Sequence, residues 1–144
     1  MDVLVDVNVV FALVIERHAF HKRVCTWLDG QEAGFRMRVC RVVQMGMIRL
    51  LCNGAAMDAD PLTLPAAWKV YAELATDPSV AFLPEPKGVL PAWIRFCDPT
   101  GASPKVLTDA YLAAMALQAG LPLASFDAAF ARFPGLEWVP VKKR

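Results

Sequence analysis

Three aspartates sit where apolar sequence would otherwise read as plain core. Asp109 lies at the front of a nearly apolar run, Leu107–Gly120; Asp127 follows "LPLASF"; Asp6 follows the opening "VLV". A packed interior tolerates a charge only when a counter-charge, a hydrogen-bond shell or a metal compensates for it. Two carboxylates about 4 Å apart repel by roughly 4 kcal/mol at an effective dielectric near 20, so gathered acids need a divalent cation or a shared proton. Mg²⁺ or Mn²⁺ takes oxygen ligands, keeps several waters and is usually held by one or two carboxylates plus substrate phosphate oxygens. Such an ion orients and deprotonates a water for in-line attack and neutralises charge on the phosphate and the leaving oxygen. This chemistry is phosphodiester hydrolysis, and it requires no serine or cysteine nucleophile. Each acid also has a local reading: Asp6 and Asp127 as helix caps, Asp109 as a first-turn acid favoured by the helix dipole. Their joint placement is what points to a site.

The elements that must position these acids follow from hydrophobic periodicity. "VLVDV" is a short β-branched strand running into the helix-compatible "NVVFALVI", with Asp6 at the strand's carboxyl end. A second helix is expected from His18 to Gly30, a weak strand at "FRMRVC" and a helix over "RVVQMGMIRLLCNG" closed by Asn53-Gly54. A further helix is fenced by Pro61 and Pro78, followed by the strand "VAFLP". The Pro-dense stretch from Pro84 to Pro104 reads as loop with a helical turn around Trp93–Phe96, and Ser103-Pro104 as the start of a helix reaching Gly120. "LPLASF" is a buried strand, "DAAFARF" a short helix and "LEWVPV" a last strand. This order is α/β with a mainly parallel sheet, in which strand carboxyl ends open onto a shared crevice.

With 144 residues, 56% of them hydrophobic and 20% charged, the chain fits one domain and excludes disorder, and some of its apolar surface is expected to meet a partner. A net charge of +1 does not by itself advertise polyanion binding, although Lys142, Lys143 and Arg144 gather at the C-terminus. Cys25, Cys40, Cys52 and Cys97 form no C-x-x-C pair and read as reduced thiols of a cytoplasmic protein. No apolar run is long enough to span a bilayer. His18, His21 and Cys25 imitate a transition-metal site but lack a second ligand pair, and the four tryptophans are most simply packing or partner-contact residues.

The sequence resembles the PIN-domain ribonucleases, and among them the VapC-type toxins of bacterial toxin–antitoxin operons. The resemblance is carried by "LVDVNVVFAL", "CRVVQMGMIRLL" and, most specifically, "LTDAYLAAMALQAGLPLASFDAAFARFPGLEWV". It implies a PIN-like three-layer α/β/α fold over residues 1–144, with a mainly parallel central sheet of about five strands. It further implies Mg²⁺- or Mn²⁺-dependent endoribonuclease activity in the cytoplasm, an RNA substrate with tRNA among the candidates, a homodimer, and inhibition by a small antitoxin encoded beside it.

Position by position, the resemblance makes Asp6, Asp109 and Asp127 the first, third and fourth metal-binding acids, with Asn8 and Ser125 in support. Gln44 departs from it, because the second position is commonly Glu; an amide can hold a metal-bound water but cannot neutralise charge or accept a proton. Arg41 lies three residues before Gln44, shares its helix face and could contact a phosphate. The rival reading is a PIN-like RNA-binding or protein-binding module whose catalysis is weakened or lost through Gln44. A phosphate-accepting receiver domain fits poorly, since the first loop reads Asp6-Val7-Asn8 without adjacent acids.

Overall fold

The fold is that of a computed structural model describing residues 1–98 and 103–142; Lys143 and Arg144 lie outside the described residues. Its elements, in chain order, are β1 (Asp2–Val5), α1 (Val7–Val14), α2 (His21–Asp29), β2 (Arg36–Val39), α3 (Arg41–Leu51) and α4 (Leu64–Ala75). Then come β3 (Val80–Phe82), α5 (Val89–Cys97), α6 (Val106–Ala119), β4 (Leu123–Ser125), a 3-10 helix (Ala128–Arg132) and β5 (Trp138–Pro140). The strands form one sheet in the order β3-β2-β1-β4-β5, and every pairing is parallel. Helices cover both faces, so Val3, Leu4, Val5, Leu123 and Ala124 are buried, which is why these strands are unbroken apolar runs rather than alternating ones. The expected three-layer α/β/α fold with a five-stranded parallel sheet is the one observed.

From β1 the chain builds outward through β2 to β3, then returns to the other side of β1 for β4 and β5. The order of strands thus reverses between β1 and β4, and a parallel sheet opens a crevice at such a switch point, beyond the strands' carboxyl ends. Leu4 pairs with Leu123 and Val5 with Ala124, which brings Asp6 level with Ser125.

Some expected boundaries move. The Pro-dense region holds a full nine-residue helix, α5, rather than a single turn at Trp93–Phe96. Pro91 falls in its first turn, where a missing amide costs nothing, and Val89, Ala92 and Phe96 recur at helical spacing on its buried side. Ser103 does not cap α6: Ser103 and Pro104 form a turn whose carbonyls accept from Val106 and Leu107, and no side chain caps the helix. The helix α2 starts at His21 rather than His18. Similarly, α3 ends at Leu51, and Asn53 instead accepts a hydrogen bond from the Ala56 amide. The α4 helix begins after Thr63, whose hydroxyl accepts from the Ala66 amide. None of the four cysteines is in a disulfide, and among the described residues no helix is long and apolar enough to cross a membrane.

Candidate active site

Asp6 ends β1 and caps α1, its Oδ1 accepting from the Val7 amide at 2.7 Å. The Ser125 hydroxyl donates to Oδ2 at 3.0 Å. Both contacts favour the carboxylate, yet the group is only 6% exposed and no cation pairs with it among the described residues. Burial, reinforced by the charges of Asp109 and Asp127, raises its pKa from 3.8 to about 6.

Ser125 ties a second acid to the first. Its Oγ accepts from the Asp127 amide at 3.0 Å while donating to Asp6, so one fully buried hydroxyl sets the spacing of the two aspartates. Asp127 caps the 3-10 helix through the Ala129 amide. Asp109 comes from the first turn of α6, and its pKa is raised first by burial and then by the charge of Asp127, against the opposing pull of Arg132 and Lys105. Arg132 approaches Asp109 at 3.9 Å with both side chains partly exposed, a weak contact.

The structure therefore brings Asp6, Asp109 and Asp127 within range of one another's charge at one edge of the sheet. It does not close them into a cage: among the described residues no group of three or more His, Cys, Asp or Glu side chains is arranged to hold a metal ion. An all-oxygen, anionic set with one buried acid lacking a cationic partner still suits a hard divalent cation. Mg²⁺ ordinarily binds one or two carboxylates directly and fills its shell with water. Asn8 is exposed in the first turn of α1, next to Asp6 in the chain.

Gln44 is buried on α3, and its amide is held at both ends. Arg41 Nη1 donates to Oε1 at 2.8 Å, and Nε2 donates to the Tyr71 hydroxyl. The expected Arg41–Gln44 proximity is thus a direct hydrogen bond. Tyr71 and Arg132 were not legible as site residues, since a tyrosine on α4 and an arginine ending a 3-10 helix look like ordinary surface positions. Only the packing of α4 against α3 and the turn after β4 bring them in. His18, His21 and Cys25 make local contacts: His21 Nδ1 lies 2.9 Å from the Ala12 carbonyl oxygen and Nε2 lies 3.5 Å from Cys25 Sγ.

The family model described as PIN domain matches residues 3–136. Ribonuclease VapC41 of Mycobacterium tuberculosis is 36% identical over 138 residues, covering 93% of this chain and 94% of that protein. Among solved structures, the VapBC2 complex of Rickettsia felis, bound to a promoter DNA fragment, is similar with a TM-score of 0.73 at 9% identity, covering 97% of this chain and 98% of that one. VapC20 of M. tuberculosis, described as a sarcin–ricin loop cleaving toxin, has a TM-score of 0.65 at 16% identity, covering 94% and 98%.

Proposed function

This chain belongs to the PIN-domain family, and from that premise we propose that it is a metal-dependent endoribonuclease, the toxin half of a type II toxin–antitoxin pair. The observation that carries the reading is the position of Asp6 and Asp109 at the switch point of the sheet, where burial and then the neighbouring acids' charges disfavour their ionised forms. Carboxylates held charged in such a place cost stability unless a cation relieves them, and such an arrangement marks functional sites.

Asp6, Asp109 and Asp127 would hold Mg²⁺ or Mn²⁺ between them, one or two directly and the rest through its waters, and the ion when bound supplies an activated water and neutralises charge on a phosphodiester. The protein's own part is to place the ligands. Ser125 fixes Asp6 relative to Asp127, and the Val7 amide holds the other oxygen of Asp6 so that it cannot rotate away. Asp109 enters from the first turn of α6, beside Arg132. Because Asp6 titrates near pH 6 without metal, activity falls as the pH drops below that value, where its proton competes with the cation. The substrate is RNA, tRNA among the candidates, and the protein works in the cytoplasm as a homodimer silenced by a small antitoxin. The relatives that support this are VapC ribonucleases and VapBC complexes.

The test is Mn²⁺-dependent cleavage of labelled RNA by wild type and Asp109→Asn, with growth arrest on expression as a parallel readout. Wild type should cut and arrest growth; the variant should fold, bind no Mn²⁺ by calorimetry and do neither. A second reading, an RNA-binding PIN module without catalysis, draws on Gln44, whose amide is hydrogen-bonded to protein partners at both ends. RNA binding by wild type with no cleavage in Mn²⁺ decides for that module.

A further inference from the structure

Arg41 is the first residue of α3 and follows directly on the carboxyl end of β2. The parallel register sets Leu4 opposite Arg38, so Asp6 stands level with Cys40, and Arg41 leaves the sheet at the same edge as the acids. Its guanidinium is fixed in two ways. Nη1 donates to Gln44 Oε1 at 2.8 Å, and Cζ lies 5.0 Å from the centroid of the Phe82 ring. A guanidinium only donates, so Gln44 must face it with the carbonyl oxygen, and the opposite end of the amide then donates to Tyr71. Gln44 is itself buried, so this orientation is locked from both sides.

Arg41 combines an unspent charge with a place beside the carboxyl end of a strand, which Arg23, Arg49 and Arg95, also without a carboxylate partner among the described residues, do not share. Arg36 and Arg38 share the one carboxylate of Asp2, and Arg132 faces Asp109, whereas among the described residues no carboxylate pairs with Arg41. A glutamate at position 44 would form an ion pair with it at i, i+3 spacing and consume its charge. The neutral amide aims the guanidinium without cancelling it. Arg41 is exposed, most of its five donors remain unused, and Phe82 beside it is 40% exposed, a surface on which a base can stack.

We propose that Arg41 binds a backbone phosphate of the RNA at the carboxyl-end edge of the sheet, on the β3 side of the acids, and that Gln44 is its positioning residue, an inference that rests on the ribonuclease reading. Gln44 therefore acts through the arginine, as a neutral prop for a phosphate clamp.

The experiment measures binding of fluorescently labelled bulk tRNA by anisotropy over a range of KCl concentrations. It is done in EDTA so that cleavage does not intrude, with thermal melting of each variant as the control for folding. Arg41→Ala should weaken binding about tenfold, the loss of one charge-assisted contact, and reduce the slope of log affinity against log salt by about one. Arg41→Lys should retain the salt slope but not the full affinity. Gln44→Glu should weaken binding despite being closer to isosteric than Gln44→Ala, because the carboxylate captures the guanidinium. Unchanged affinity and slope in Arg41→Ala, or binding by Gln44→Glu as tight as wild type, overturns the proposal. If wild type cleaves RNA in Mn²⁺ under either of those results, this inference alone fails; if wild type neither binds nor cleaves RNA, the ribonuclease reading fails with it.

Discussion

Asp6 is held where its charge is disfavoured, and this has a measurable consequence. Its pKa in the folded chain is about 6, above the ordinary 3.8, so between those values the folded protein keeps a proton that the unfolded chain has lost. Stability from this group is therefore lost as pH rises from about 4 to about 6, and above that the full cost, about 3 kcal/mol, persists. Asp109, also raised, acts in the same direction. His18, held below its usual value first by burial, contributes the opposite slope, so the quantity to read is the difference between wild type and Asp6→Asn. In EDTA, urea unfolding should show the variant more stable than wild type at pH 7.5, by about 1–3 kcal/mol, and that advantage should shrink at pH 5. A variant less stable than wild type at pH 7.5 would show that the carboxylate's hydrogen bonds outweigh its burial. At this scale the sequence was legible in two senses at once: Asp6 and Asp127 do cap helices and Asp109 does sit in a first turn, and the same three also lie within range of one another's charge. Local propensity and site are served by the same side chains. The partners of Gln44 were half legible, Arg41 through helical spacing, Tyr71 not at all, because it lies 27 residues away with no local pattern linking the two.

Among the elements, the contact between α1 and α3 is the one most closely tied to the acids. A Cβ added at Gly46 would lie 2.9 Å from Val7 Cγ2, so the absence of a side chain there lets α3 approach the first residue of α1. Val7 is β-branched and stiff, and its amide holds Asp6 Oδ1. Gly46→Ala gains up to about 1 kcal/mol of helix propensity but overpacks this contact at a typical cost of about 1–3 kcal/mol. The variant should lose about 1 kcal/mol by urea denaturation and should cleave RNA more slowly, because displacing Val7 displaces the carboxylate it anchors. Adding Val7→Ala to Gly46→Ala removes the opposing methyls and should restore both readings; if the double variant stays as impaired as the single one, the clash is not the cause. The strands were legible because burial on both faces writes them as unbroken apolar runs. The α5 helix was not, because its Pro91 and the prolines before it are breaker signals, and only burial of Val89, Ala92 and Phe96 shows that the proline sits harmlessly in the first turn.

Taken as a whole, the molecule gathers acids from residues 6, 109 and 127 only because the chain reverses its direction of sheet growth between β1 and β4. Their repulsion is thus a cost borne by the entire fold, and a cation that relieves it should stabilise the entire fold. Binding to the native state alone adds RT ln(1 + [L]/Kd), about 2.7 kcal/mol at a hundredfold excess over Kd. For a domain of this length that corresponds to a rise in Tm of roughly 5–10 °C. Thermal melts in MnCl₂ against EDTA should show this rise at pH 7.5. The rise should diminish at pH 5, where Asp6 carries a proton the ion must displace, and should vanish in Asp109→Asn. The combination matters more than any one melt, since non-specific Mn²⁺ binding to exposed carboxylates would raise Tm equally in wild type and variant and would follow the ordinary carboxylate range rather than a pKa near 6. An identical metal response in the two proteins would mean that the strain among these acids serves something other than an ion.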